Sequence, residues 1–283
     1  MRIRTIVIVA TVALGLSLSL AAQTRPAPAA TLRLYVFENG FIRGLDTKLF
    51  NLAREEVKEP DFVNSSYLIV HPRGTLQFDS GGIPDSQLKG DGSPTTEGVM
   101  SASKTLLSQL ANAGYRPSDI TYFALSHYHS DHTGNANAFA GSTWITQKAE
   151  RDFMFGDKRE GIIQPATYSA LKGAKTRILD NQELDVFGDG TVRLIPTPGH
   201  TPGHQVLLVR LPKRGPVLLA GDLYHYPEER ARGITPTFEF NAEMSKASRA
   251  KVEALLKETK AELWIEHDLA THAKLPKAPA YVE

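Results

Sequence analysis

Residues 122–132 join an apolar run to a dense set of metal-ligand side chains. Tyr122-Phe123-Ala124-Leu125 reads as a buried strand, and Ser126-His127-Tyr128-His129-Ser130-Asp131-His132 follows it at once. Alternate side chains of an extended stretch share a side, so His127 and His129 can reach one ion. Asp131 and His132 follow where the chain turns, so the same cluster can serve a second ion close by. Imidazole with some carboxylate suits zinc, with iron, manganese and cobalt as alternatives. A solvated polar loop with incidental histidines does not account for three of the chain's nine histidines within six residues. The cluster sits at the C-terminal end of a strand, where α/β folds place their chemistry.

The rest of the chain supports one large α/β domain. Its 283 residues, 41% hydrophobic and 22% charged, are enough for a sizeable core. A net charge of +1 favours neither nucleic acid nor an anionic membrane as partner. The lack of cysteine excludes disulfides, Cys-ligated zinc, a Cys nucleophile and a lipoprotein anchor.

The N-terminus carries an export pattern. Arg2 and Arg4 precede an apolar segment from Ile6 to Leu20, and Ser19-Leu20-Ala21-Ala22 offers small residues for cleavage. The run is short for a membrane span and no basic stop follows it. The expected organisation is a signal peptide over 1–22, a flexible Pro/Ala leader over 23–30 and a single α/β domain over 31–283. The mature protein is expected in the periplasm or outside the cell, with no stable membrane anchor.

Further strands and turns frame the site. Leu32–Phe37 reads as a first strand, 39–60 as a loop over the site, and Ser66–His71 with Thr75–Phe78 as a hairpin closed by Pro72-Arg73-Gly74. Pro84–Thr96 reads as a polar loop and Glu97–Ala113 as a helix. Thr143–Thr146 reads as a strand and Gln147–Phe155 as a helix. Val192–Ile195 leads into Pro196-Thr197-Pro198-Gly199-His200-Thr201-Pro202-Gly203-His204, a loop that Pro and Gly make rigid. Val217–Ala220 ends at Gly221-Asp222. Asn241–Lys257 has the period of an amphipathic helix, with Met244, Ala247, Val252, Leu255 and Leu256 inward. Glu262–Ile265 is a last strand, ending at Glu266-His267-Asp268.

H-x-H-x-D-H after a hydrophobic strand resembles the signature of the metallo-β-lactamase superfamily. The resemblance implies a four-layer αββα sandwich and three further ligands, which match His200 in the Gly-His-Thr turn, Asp222 and His267. It implies one metal held by His127, His129 and His200 and another by Asp131, His132 and His267, with Asp222 bridging. Two zinc ions are the expected cofactors. Asp79, in Asp79-Ser80-Gly81, resembles the segment that supports this site, and His204 has a supporting position or is simply packed. The apolar residues near 153–168 (Phe153, Phe155, Ile162, Ile163, Tyr168) resemble those that line the substrate pocket.

Two cations bring a shared water toward neutral pKa, and the resulting hydroxide is the expected nucleophile. Asp131 is placed to orient it or to shuttle its proton. Within the superfamily the chain is most similar to the N-acyl-homoserine lactonases, which implies a small lactone or ester substrate. It departs from them at one point. Their tyrosine three residues after the bridging Asp is His225 here, flanked by Tyr224 and Tyr226, so Tyr224 or His225 is the candidate donor to the lactone oxygen. Another ester, thioester or β-lactam hydrolase is the enzymatic rival, and a non-catalytic metal-binding protein the rival from another class.

Overall fold

The computed structural model describes residues 29–157 and 162–283. The expected signal peptide and most of the leader lie outside the described residues. No described helix is long and apolar enough to cross a membrane.

Two sheets form the inner layers. The first contains β1 (Arg33–Ile42), β2 (Phe62–His71), β3 (Gly74–Phe78), β4 (Thr95–Glu97), β5 (Met100–Ala102), β6 (Tyr122–Ala124), β7 (Thr143–Gln147) and β8 (Thr176–Leu179), in the order β4-β5-β1-β2-β3-β6-β7-β8. The second contains β9 (Leu184–Asp185), β10 (Val192–Pro196), β11 (Gln205–Leu211), β12 (Gly215–Leu219) and β13 (Glu262–Trp264), in the order β13-β12-β11-β10-β9. The helices are α1 (Leu106–Asn112), α2 (Ser130–Thr133), α3 (Lys148–Phe155), α4 (Pro165–Tyr168), α5 (Pro227–Arg232), α6 (Ala242–Thr259) and α7 (Leu269–His272).

Side-chain alternation builds the layers. Along β2, Tyr67 and Ile69 face the second sheet, whereas Leu68 and Val70 face the outer helices. Along β11, Leu207 and Val209 meet the first sheet, and Val206 and Leu208 meet Val252 and Leu256 of α6. Both faces of both sheets are therefore covered, which makes their strands nearly continuous apolar runs. The result is the expected αββα sandwich. Its inner core joins Leu34, Phe78 and Ile145 to Leu194, Leu219 and Trp264.

Three readings need correction. Glu97–Ala113 is not one helix: β4 and β5 make a hairpin that turns at Gly98 (φ +58°), and α1 begins only after Thr105, whose hydroxyl accepts the Ser108 N–H at 3.1 Å. The apolar spacing in that stretch belongs to two elements, with Val99 and Leu107 exposed. On α6, Met244 and Ala247 face solvent, and the buried face includes Ser245, Ser248 and Arg249. Hydrogen bonds from this helix to neighbouring backbone and acids outweigh the apolar pattern there. Near the pocket, Tyr168 is fully buried in the outer core and Phe153, Phe155 and Ile163 pack against it, so only Ile162 of that group reaches the pocket. Aromatic residues close to a site are more often packing than lining.

Candidate metal centre

Four strand ends deliver the site. β6 leads to His127 and His129, and the turn into α2 carries Asp131 and His132. The loop from β10 to β11 carries His200. The turn after β12 carries Asp222, and the chain after β13 carries His267. These seven candidates form two groups that share Asp222: His127, His129, His200 and Asp222, and Asp131, His132, Asp222 and His267. The possible ligand atoms within each group lie within 4.8 Å of one another.

Asp222 stands between the groups with one oxygen toward each. Its Oδ2 lies 3.7 Å from His127 Nε2 and 3.5 Å from His200 Nε2. Its Oδ1 lies 3.2 Å from His132 Nε2 and 3.1 Å from His267 Nε2. Asp131 Oδ2 completes the second group at 3.6 Å from His132 Nε2 and 3.5 Å from His267 Nε2. In the first group His200 Nε2 faces His129 Nδ1 at 3.0 Å.

The far nitrogens of three of the rings are held from behind. His127 Nδ1 meets Ser126 Oγ at 3.0 Å, and His267 Nδ1 meets the Val63 carbonyl at 2.9 Å. His132 Nδ1 lies 3.3 Å from Asp79 Oδ2 and 3.3 Å from Glu266 Oε1. Asp79 Oδ1 also accepts the Ser126 N–H at 2.6 Å, so this carboxylate fixes both the loop and a ligand. His204 supports the bridge: its Nδ1 meets Thr197 Oγ1 at 2.8 Å and its Nε2 accepts the Asp222 N–H at 3.1 Å.

These residues fit a pair of cations. Among the described residues, His127 Nε2, His132 Nε2 and Asp222 Oδ1 are buried, point inward and have no hydrogen-bond partner. Such atoms need a partner in a dry interior. Burial, followed by His132, holds His127 well below the usual imidazole range. Burial, followed by His200, takes His129 down to about 3, so these rings keep their lone pairs. In the second group burial also opposes charge on His132 and His267. The carboxylates outweigh it, Glu266 first at His132 and Asp222 first at His267, and raise both. Carboxylates that draw protons onto buried imidazoles mark a place that calls for positive charge.

The two candidate donors separate. Tyr224 turns away: its hydroxyl donates to Glu253 at 3.1 Å, and the Arg249 guanidinium lies over its ring at 4.5 Å. His225 lines the pocket at the centre, with Nε2 3.2 Å from Asp222 Oδ2 and Nδ1 3.3 Å from Glu229 Oε1. Burial opposes charge on this ring, but Glu229 and then Asp222 raise it to about 10. The pocket walls are apolar, with Ile42, Leu45, Val99, Met100, Ile162 and Phe238 around the opening, and no described lining residue is Lys or Arg. Leu45 and Phe50 come from the segment read as a loop over the site. Sequence reading missed Glu266 and Glu229. The first adjoins His267 and the second lies one helical turn beyond His225, which is the only signal either gives.

This fold and site define a metal-dependent hydrolase. A family model described as the metallo-beta-lactamase superfamily matches residues 60–260, and the chain belongs to that family. It is similar to a protein named N-acyl homoserine lactonase AttM from Azorhizobium caulinodans, 28% identical over 267 residues that cover 89% of this chain and 99% of that protein. Among solved structures it matches a quorum-quenching N-acyl homoserine lactone lactonase, with TM-score 0.74 and 22% identity over 90% of this chain and 100% of that one. It also matches an N-acyl homoserine lactone hydrolase with the product N-hexanoyl-L-homoserine at the catalytic metal centre, with TM-score 0.72, 24% identity and the same coverage.

Proposed function

We propose that this chain is an exported lactonase with two zinc ions, opening the ring of an N-acyl-homoserine lactone or a closely related lactone. The observation that carries the reading is Asp222, with one carboxylate oxygen toward each histidine group, at the floor of an apolar pocket. Similarity to lactonases over most of the chain supports the substrate class. The apolar rim suits an acyl chain, and the absence of Lys and Arg among the described lining residues weighs against a substrate that carries its own carboxylate, such as a cephalosporin.

The residues would divide the work as follows. His127, His129 and His200 would hold one ion and Asp131, His132 and His267 the other, with Asp222 shared. Bound there, the ions supply Lewis acidity to the carbonyl and lower the pKa of a water. Asp131 lines the pocket with 16% of its side chain exposed, so the carboxylate oxygen not turned toward His132 and His267 can take a proton from the attacking water and return it to the departing ring oxygen. His225 presents its Nε2 edge to the pocket from beside Asp222, and Glu229 fixes the ring from behind. Leu45, Phe50 and Phe238 shield the site from bulk water.

Export rests on the basic, apolar and small-residue pattern of 1–22. Fractionation of a bacterial host with the N-terminal mass of the protein tests it, and protein confined to the cytoplasm with residue 1 intact rejects it.

The test of function is acid release at constant pH from a panel of short- and long-chain acyl-homoserine lactones, simple lactones, a thioester, an aryl ester and a cephalosporin. Turnover of the homoserine lactones, with substrate regained on acidification, is the expected result. Turnover confined to the thioester or cephalosporin rejects the lactonase reading.

A further inference from the structure

We propose that Glu150 is a positioning residue for one half of the metal centre. Its carboxylate ties the loop of His127 and His129 to the loop of His200, and so governs the three-histidine half and not its neighbour. The inference rests on the two-cation reading above.

Glu150 lies in the first turn of α3, 2% exposed, and is not part of either ligand group. Its Oε1 accepts the Tyr128 N–H at 2.7 Å, between two ligand histidines. Its Oε2 accepts the Thr201 hydroxyl at 2.8 Å and the Gly203 N–H at 2.8 Å, one and three residues beyond His200. Three donors from two loops thus meet on one buried carboxyl group; burial raises its pKa to about 7, and the bonds from Thr201, Gly203 and Tyr128 favour its ionised form. Gly203 sits directly on the helix: a Cβ there would lie 2.5 Å from the Glu150 backbone nitrogen and 2.7 Å from the Glu150 Cβ. The loop is therefore seated as well as bonded.

His129 and His200 are 71 residues apart in sequence, yet their facing nitrogens are 3.0 Å apart. The loops also meet through the Gln205 N–H to the Ser126 carbonyl at 2.9 Å and Gln205 Nε2 to the Leu125 carbonyl at 2.8 Å. Both of those bonds lie before the first ligand histidine. Glu150 makes its bonds at the level of the ligands themselves. The second half has different supports: Asp79 and Glu266 behind His132, and the Val63 carbonyl behind His267. Residues that orient metal ligands are worth about 10- to 100-fold in affinity, and here that effect should fall on one ion.

The test is zinc affinity by chelator competition on the full mature chain, with zinc alone as probe. His267→Ala leaves the three-histidine half, and His200→Ala leaves the other. Glu150→Gln should weaken zinc about 10- to 100-fold in the His267→Ala background and leave it within about twofold in the His200→Ala background, since Glu150 bonds none of Asp131, His132, Asp222 and His267. Equal weakening in both backgrounds, or none in the first, overturns the proposal. Thr201→Val removes one donor and leaves the carboxylate intact. It should give a smaller loss in the same background only, and a loss in the other background also overturns it. The wild-type titration separates the two readings: fewer than two zinc ions per chain rejects the two-cation centre itself.

Discussion

Asp222 and His225 carry the sharpest expectations about chemistry. Asp222→Asn keeps the size of the side chain and removes the charge that faces both histidine groups. Turnover of hexanoyl-homoserine lactone should fall by at least about 100-fold, with zinc content measured on the same sample. Unchanged turnover would show that no shared carboxylate is needed. The donor assignment is tested by a pair of variants. His225→Ala should lower kcat by about 10- to 1,000-fold, as expected for a group that faces developing charge. Tyr224→Phe should stay within about twofold in activity, because its hydroxyl bonds Glu253 outside the pocket, and should cost about 1 kcal/mol or less in stability. A reversed order of effects would return the donor role to tyrosine.

The longest of the described helices shows how an element is fixed at its start and along one face. Asn241 caps α6, its side chain accepting the N–H groups of Glu243 at 3.1 Å and Met244 at 3.0 Å. Asn241→Ala should cost about 1 kcal/mol by chemical denaturation. Leu256 packs with Val206, Leu208 and Leu218, and Leu256→Ala should cost about 2–5 kcal/mol with zinc stoichiometry unchanged. A loss of zinc in that variant would mean that α6 reaches the centre through the sheet. Arg249 is the link that such coupling would use. Its guanidinium donates to the Leu223 carbonyl and to Glu229 Oε2, each at 2.8 Å, and Glu229 in turn holds His225.

Across the whole molecule, stability should follow both metal and acid. Ligands that bind only the folded state stabilise it by about 2.7 kcal/mol at a hundredfold excess over Kd, so chelation should lower the melting temperature and zinc should restore it. The acid dependence has a separate source in His272, which joins α7 to β2 through Ser65 Oγ at 2.9 Å. Burial, then Lys277 and Lys104, take its pKa to about 3, against 6.5 for the free ring. The unfolded chain therefore binds the proton first. The stability tied to a neutral His272 is complete above about pH 6.5 and is lost as pH falls toward 3. Between pH 6.5 and 5 this amounts to about 1–2 kcal/mol. His272→Gln should flatten that slope in denaturant titrations of the metal-free protein, and an unchanged slope would place the acid sensitivity elsewhere.

The ligand candidates could be read from the chain because a metal ligand is a local choice. Each needs a side chain of one chemical type just after an apolar strand, and H-x-H-x-D-H, Gly-His-Thr, Gly-Asp and Glu-His-Asp keep that form whatever surrounds them. The sandwich was implied by the family resemblance those motifs carry, and strands apolar on both faces agree with it because they need cover on both sides. Other features depended on residues far apart in sequence. The β4–β5 hairpin is hidden in an apolar spacing that also fits a helix, and it forms because β5 can pair with the end of β1. The opposite directions of Tyr224 and His225 were set by Glu253 and Arg249 on one side and by Glu229 and Asp222 on the other. The supporting acids Glu150, Glu229 and Glu266 have no motif. A buried carboxylate takes its meaning from the donors that converge on it, and only the packed chain brings those donors together.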